Sequence, residues 1–222
     1  MKRLVVLLAL AFATPALARA PGTDEEKTLY ALGLAVAQQL KIFALSPADV
    51  EMVVAGLTDG ATGATPAVPF AEWQAKIGDL AKARSMKAAA AEKAAGQAFL
   101  DKAASQPGAK RTPSGLVIVT KQEGQGAQAT LADTVKVHYH GTLISGEVFD
   151  SSVERGTPAT FPLGGVVPCW KEGVALMKKG GKATLYCPPD LAYGDRGAPP
   201  KIGPGATLIF DVELLDITPP GK

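Results

Sequence analysis

Five short stretches decide the fold: VHYHG at 137–141, VFDSS at 148–152, VVPCW at 166–170, LAYG at 191–194 and ATLIFDVELL at 206–215. They place aromatic residues on separate short strands and loops, together with one carboxylate of the kind found in buried sites. Such a set suits an apolar peptide or a proline ring better than a phosphate, a metal ion or a sugar. The stretches therefore predict one apolar site assembled from several elements.

Around these stretches the hydrophobic residues alternate with a period of two. Segments 116–119, 135–139, 183–187 and 207–217 are rich in β-branched or aromatic residues and are bounded by glycine and proline, which predicts strands. A single short helix is predicted between residues 170 and 178. Several antiparallel strands with one helix on a sheet face form an α+β module.

The N-terminal half has the period of an α-helix instead. Apolar residues fall at steps of three and four from residue 29 to 43, which predicts an amphipathic helix. Ser46 and Pro47 predict the start of a second helix, with Ser46 as its N-cap and Pro47 as its first helical residue. A third helix is predicted from Phe70 to Ala104, about 50 Å long at 1.5 Å per residue.

The last of these helices becomes rich in alanine and lysine beyond Arg84. Because that part has few large apolar groups to bury, the sequence predicts a solvent-exposed stalk. The first two helices have apolar faces but too few residues for a core of their own. We expect a second copy of the chain to cover these faces; the alternative is a monomer whose helices fold back on the C-terminal half.

The chain begins with the pattern of a secretory signal peptide, predicted over residues 1–20. Lys2 and Arg3 precede an apolar run at 4–12, and small residues follow at 16, 18 and 20. The run is shorter than the ~20 residues of a membrane span; the alternative is a buried N-terminal helix. Removal of residues 1–20 leaves 20 basic and 21 acidic residues, a net charge of −1. That balance argues against nucleic acid as a partner.

Cys169 and Cys187 are the only cysteines. In an oxidising compartment an even pair indicates a disulfide, and a loop of this size contributes about 3 kcal/mol of stability. The alternative is two buried free thiols. A separation of 18 residues with no third cysteine or histidine nearby argues against a zinc site.

The C-terminal half of the chain resembles a known family. Residues 112–218 resemble an FKBP-type peptidyl-prolyl cis–trans isomerase domain over its full length, because the five stretches occur in the family's order and at near-family spacing. The whole chain is similar to exported bacterial proteins of the Mip-like and FkpA-like type. The resemblance implies a signal peptide at 1–20, a helical dimerisation region at 21–69, a long connecting helix at 70–106 and a curved antiparallel sheet wrapped on one helix at 112–218.

The resemblance also implies roles for individual residues. Trp170 would form the floor of the pocket, Tyr193 would hydrogen-bond a substrate carbonyl, and Asp150 would lie at the mouth. The implied catalytic residues are Tyr139, Phe149, Asp150, Trp170, Tyr193 and Phe210. The implied substrate-binding residues are Arg155, Phe161, Val166, Val167 and Ile202. Phe161 could instead be a core residue, and Cys169, where the family usually has glycine, is expected to pair with Cys187. His138 and His140 lack a nucleophile motif and look structural.

The implied activity is isomerisation of X–Pro bonds in unfolded exported polypeptides, with chaperone activity and without a metal or organic cofactor. A homodimer in the periplasm is expected, with association with the outer membrane or cell surface as an alternative location. A macrolide of the tacrolimus or rapamycin type is a further implied ligand, weakened by Ala159 and Ala198, where other members have larger groups. Two rival interpretations remain: a proline-peptide binding module with little turnover, and a structural dimer with a degenerate pocket.

Overall fold

The computed structural model describes residues 19–221, so residues 1–18 of the predicted signal peptide lie outside the described residues. By backbone contacts the chain divides into a first unit, described over residues 19–39, and a second unit from residue 40 onward. The helical region comprises α1 (Asp24–Leu40), a 3₁₀ turn (Lys41–Phe43), α2 (Pro47–Thr62) and α3 (Phe70–Ala104). Within residues 19–221, no helix combines the length and the hydropathy needed to cross a membrane.

Helix α2 begins with the predicted cap. The Ser46 hydroxyl accepts a hydrogen bond from the Asp49 N–H, and the Asp49 carboxylate accepts one from the Ser46 N–H, so the two residues form a capping box. Arg84 of α3 donates two hydrogen bonds to the same carboxylate, at 2.9 and 3.0 Å, and a third to the carbonyl of Phe43. The Arg84 hydrogen bonds, followed by those from Ser46, hold the pKa of Asp49 well below its usual value. The hydrogen bonds from Arg84 therefore join the start of α2 to the middle of α3.

The C-terminal half is a seven-stranded antiparallel sheet. The strands are β1 (Ala109–Arg111), β2 (Val117–Gln122), β3 (Thr134–Leu143), β4 (Val148–Ser151), β5 (Ala159–Pro162), β6 (Lys182–Cys187) and β7 (Leu208–Thr218). Their order is β1-β2-β6-β7-β3-β4, and β5 pairs with β3 beside β4. The long strands β3 and β7 lie at the centre, with ten pairs of residues in register. The predicted α+β class is confirmed.

One helix covers a face of this sheet. Helix α4 (Pro168–Ala175) starts with proline at its first turn and buries Trp170 and Val174 in the main core. Cys169 and Cys187 form a disulfide between α4 and β6, and both are fully buried. The prediction of a disulfide, rather than two free thiols, is confirmed.

The opposite face of the sheet carries an unpredicted contact with α3. The expectation that the alanine-rich half of α3 is solvent-exposed is wrong, because its residues Ala89, Gly96, Leu100 and Ala103 are buried. Leu100 and Ala103 form a second apolar cluster with Val117, Val119 and Tyr186. Small side chains have little area to bury, but they let a helix backbone approach a sheet closely. The sheet is therefore covered by α4 on one face and by the end of α3 on the other.

Candidate functional site

A cavity of about 570 Å³ opens between α4, the sheet and the loop from β6 to β7. That volume lies within the usual range for small-ligand pockets. The structure brings together all the predicted site residues except Arg155, which lies beside the mouth. The lining residues are Tyr139, Phe149, Asp150, Phe161, Gly165, Val166, Val167, Trp170, Tyr193, Ala198, Pro200, Lys201, Ile202 and Phe210.

Trp170 is the centre of an aromatic cluster in this cavity. The rings of Tyr139, Phe161 and Phe210 lie nearly perpendicular to its indole ring, at centroid distances of 5.3, 5.7 and 5.4 Å. Edge-to-face contacts of this kind fix ring orientation and contribute about 0.5–1.5 kcal/mol each beyond their burial. The indole is only 4% exposed, and its Nε1 has no hydrogen-bond partner among the described residues.

A glycine on the central strand makes room for the second aromatic wall. Gly141 pairs with Asp150 of β4 on one side and with Phe210 of β7 on the other. A Cβ atom on Gly141 would lie 2.6 Å from the ring of Phe149, so a larger residue would displace that ring. With glycine there, Phe149 packs edge-on against Phe210 at 5.4 Å.

The carboxylate at the mouth is held by two partners. The Tyr139 hydroxyl donates to Oδ2 of Asp150, Arg155 donates to Oδ1, and Arg155 also donates to the Tyr139 hydroxyl at 3.0 Å. Burial raises the pKa of Asp150, but the hydrogen bonds from Tyr139 and Arg155 together outweigh it, so the pKa lies below its usual value. Burial, and then the hydrogen bond to Asp150, raise the pKa of Tyr139. At neutral pH the site therefore holds a carboxylate and a protonated phenol.

The tyrosine on the other wall has a different environment. Tyr193 follows the short 3₁₀ turn Pro189–Leu191 and is 40% exposed. Among the described residues, its hydroxyl makes no hydrogen bond, so the donor is available to a molecule that enters the cavity. Val167 is the N-cap of α4, a position whose own N–H is not used by the helix.

Three lining residues were not predicted from the sequence: Gly165, Pro200 and Lys201. Lys201 lines the cavity, and its Nζ donates to the carbonyl of Phe149 at 2.8 Å. No motif identifies this residue, because its contact is with a backbone atom 52 positions away. Ala198 lines the pocket, whereas Ala159, expected to leave a wall open, lies on β5 outside the lining.

The two histidines lie outside the pocket lining. His138 contacts the Ser152 hydroxyl at 3.2 Å, and His140 contacts that of Ser151 at 3.0 Å. Within residues 19–221, no group of three or more His, Cys, Asp or Glu side chains is arranged to hold a metal ion.

Family models match both halves of the chain. Residues 125–215 match the model for the FKBP-type peptidyl-prolyl cis-trans isomerase, and residues 25–117 match that for the domain amino-terminal to FKBP-type peptidyl-prolyl isomerase. Together with the fold and the aromatic pocket, these matches define an enzyme that isomerises prolyl peptide bonds.

Individual proteins match along nearly the whole chain. An FKBP-type 22 kDa peptidyl-prolyl cis-trans isomerase of Escherichia coli is 42% identical over 88% of this chain and 96% of its own length. FkpA of the same organism is 37% identical over 90% of this chain and 78% of its own length. The crystal structure of Escherichia coli FkpA matches with a TM-score of 0.70, covering 90% of this chain and 99% of that structure. The chain belongs to the FKBP-type peptidyl-prolyl cis–trans isomerase family.

Proposed function

We propose that this isomerase accelerates the folding of exported polypeptides by holding X–Pro segments in the Trp170 pocket. The observation that carries the proposal is the Trp170 indole in the cavity lining, with three aromatic rings packed nearly perpendicular to it; this indole is the proposed apolar floor for a proline ring. The lining is mostly aromatic or aliphatic, and its carboxylate is already bound by Tyr139 and Arg155.

Such a pocket can catalyse rotation without a nucleophile or a proton transfer. The barrier of ~18–20 kcal/mol arises from the partial double bond between carbon and nitrogen. In the twisted transition state this resonance is lost and charge separation falls, so an environment poor in water favours it over the planar ground state. Binding the transition state more tightly than the substrate is what accelerates the reaction.

Each polar group then has a specific task. Tyr193 donates from its hydroxyl to a substrate carbonyl and holds it at a turned angle, while the Val167 N–H is a second donor at the opposite lip. Asp150 fixes the hydroxyl of Tyr139 and so the orientation of that ring. Phe149, Phe161 and Ile202 enclose the proline ring from the sides.

Turnover by the wild-type protein and by a pocket variant tests this proposal. We expect Trp170→Ala to lower kcat/KM for a proline-containing tetrapeptide by at least about tenfold, a loss of ~1.4 kcal/mol of transition-state binding. Trp73→Ala removes the only other tryptophan, which lies half-exposed on α3, and should leave turnover unchanged. Asp150→Ala is the second pocket variant, since it removes no core volume at the floor.

The rival interpretation as a binding module makes a different prediction. It requires the wild-type protein to bind proline peptides while leaving the isomerisation rate at its uncatalysed value. Far-UV circular dichroism and a cooperative urea transition show whether each variant is folded, so that a rate lost with the fold is not counted as evidence for the pocket.

The cellular context of the proposal rests on the predicted signal peptide and on the disulfide. A signal peptide at 1–20 would export the protein to the periplasm, where the Cys169–Cys187 disulfide is stable; attachment at the outer membrane or cell surface is the alternative location. Unfolded X–Pro-containing chains would be the substrates. A macrolide of the tacrolimus or rapamycin type would occupy the same pocket, with Ala198 offering it little contact.

Dimerisation and chaperone activity belong to the same proposal. Within the described chain, α1 and α2 have no buried residue, and large apolar side chains on both are about half-exposed or more. Helices of this length are marginal unless an apolar face is packed, so a second copy is the proposed partner of residues 21–69. Two pockets on one dimer raise the effective concentration for a long unfolded client.

A further inference from the structure

The loop between β6 and β7 forms one wall of the pocket. It contributes Tyr193, Ala198 and Ile202 to the lining. Two backbone hydrogen bonds give it a compact shape, from the Gly205 N–H to the Gly194 carbonyl at 2.9 Å and from the Ala198 N–H to the Ile202 carbonyl at 2.9 Å. These bonds tie together the two ends and the middle of the 194–205 segment.

Helix α3 packs against the outer side of this loop. Gly205 adopts a φ of +73°, and a Cβ atom there would lie 2.5 Å from the Ala89 carbonyl oxygen. Two turns further along α3, a Cβ on Gly96 would lie 2.2 Å from Oγ1 of Thr207. Only glycine permits both approaches. At Gly205 the loop backbone meets the helix backbone, and at Gly96 the helix backbone meets the Thr207 side chain.

Between those two contacts, Lys93 reaches the loop from the same helix face as Ala89 and Gly96. Its Nζ lies 2.7 Å from the carboxylate of Asp195 and 3.4 Å from that of Asp190. The two aspartates lie three residues before and two residues after Tyr193. One ammonium group therefore joins the two ends of the segment that carries the tyrosine.

We infer that Lys93 is a positioning residue of the isomerase, which holds the 190–195 segment on α3 so that the Tyr193 hydroxyl points into the pocket. The inference rests on the proposed role of Tyr193 as a donor to the substrate. Without Lys93, two carboxylates lose their shared counter-ion and repel each other, and the segment moves away from the helix. The long helix is thereby part of the pocket's support.

Lys93→Met tests this role, with Lys93→Arg as the rescue and Lys82→Met, an exposed lysine on the same helix, as the matched control. For an uncharged, end-blocked tetrapeptide with one X–Pro bond, we expect Lys93→Met to lower kcat/KM about two- to fivefold, the range for exposed ion pairs. Amide hydrogen exchange across residues 190–197 should become faster in the same variant. Lys93→Arg should restore both values, and Lys82→Met should alter neither.

A separate variant distinguishes failure of this inference from failure of the proposed function. If Tyr193→Phe lowers kcat/KM while Lys93→Met matches the wild-type protein in kcat/KM or in exchange, the positioning role is overturned and the proposed function stands. If Tyr193→Phe has no effect, the proposed role of that hydroxyl is wrong, and the positioning of Tyr193 as a donor is overturned with it.

Discussion

Two tyrosines face the same pocket with different hydrogen-bonding capacity. The Tyr139 hydroxyl has one proton, which it gives to Asp150, and it accepts from Arg155, so it has no donor left for a substrate. The Tyr193 hydroxyl makes no hydrogen bond among the described residues. In the proposed function Tyr139 is therefore an apolar wall of fixed orientation, and Tyr193 is the side chain able to donate.

The Asp150 network predicts how activity depends on pH. Because the pKa of Asp150 lies below its usual value near 3.8, kcat/KM of the wild-type protein should hold as the pH falls to about that value. Arg155→Met removes one of the groups that stabilise the carboxylate, so the pKa rises and the decline should begin at higher pH. The carboxylate also stabilises the fold above the pKa of the unfolded chain, and this contribution is lost as the pH falls through the lowered pKa.

The pH profiles of three proteins check this prediction: the wild-type chain, Arg155→Met and Asp150→Asn. The asparagine variant cannot titrate at this position. Its kcat/KM should therefore lack the decline at low pH that the other two proteins share. Superimposable profiles for all three would show that ionisation of Asp150 has no part in turnover.

At the scale of elements, periodicity and capping predicted the helices well. The helix start at Ser46 and the long helix from Phe70 to Ala104 occur as expected, because both depend on local chemistry. Short strands such as β1 and β4 were not predicted, since three or four residues carry too little pattern. The packing of α3 was also missed, because alanine and glycine give no hydrophobic signal although they permit close contact.

Two glycines of α3 separate the effect of packing from that of helix propensity. Gly78→Ala should stabilise the protein by about 0.5–1 kcal/mol, since alanine favours a helix and nothing lies within 4 Å of the added atom. Gly96→Ala makes the same local gain but places its Cβ 2.2 Å from Oγ1 of the fully buried Thr207, so we expect a net loss of about 1–3 kcal/mol. Urea unfolding of both variants measures the difference, and equal stabilisation by the two would contradict the packing of α3 on the loop.

The disulfide between α4 and β6 makes a prediction about reducing conditions. Reduction should lower the free energy of unfolding by about 3 kcal/mol, the value for a loop of this size, and should loosen the end of α4 that carries Trp170. Chemical unfolding with and without dithiothreitol measures this loss. A variant with Cys169→Ala and Cys187→Ala should be insensitive to the reductant, and a wild-type protein equally insensitive would count against the bond's contribution.

At the scale of the whole molecule, the exposed apolar faces predict self-association. Leu32→Glu in α1 and Val54→Glu in α2 should convert the proposed dimer into a monomer in sedimentation velocity, because each places a charge on a face that we propose a second copy covers. Leu131→Glu, on an exposed leucine of the isomerase half, should leave the dimer intact. We expect the two helix variants to suppress client aggregation less than the wild-type protein, with tetrapeptide turnover unchanged.

A wild-type protein that sediments as a single chain would remove the dimer from the proposal. The sequence indicated these faces through their helical period, but it could not show which surface covers them. Apolar periodicity indicates that one face of a helix is buried. It does not indicate whether the residues that bury this face belong to the same chain or to a second copy.

Only the second half of α3 has buried residues, and this determines which residues an isolated isomerase domain must include. Composition suggests a cut near Gln106 and Pro107, after the last helical residue. A fragment that starts there would leave the Val117 and Val119 face of β2 bare and would discard Lys93, whereas residues 71–80 are exposed throughout. Anyone preparing the isomerase alone for crystallography or inhibitor screening should therefore begin the polypeptide near residue 81. A protease added to the intact protein should cut first in the exposed, non-helical turn at 63–69 rather than in the alanine-rich helix that supports the pocket.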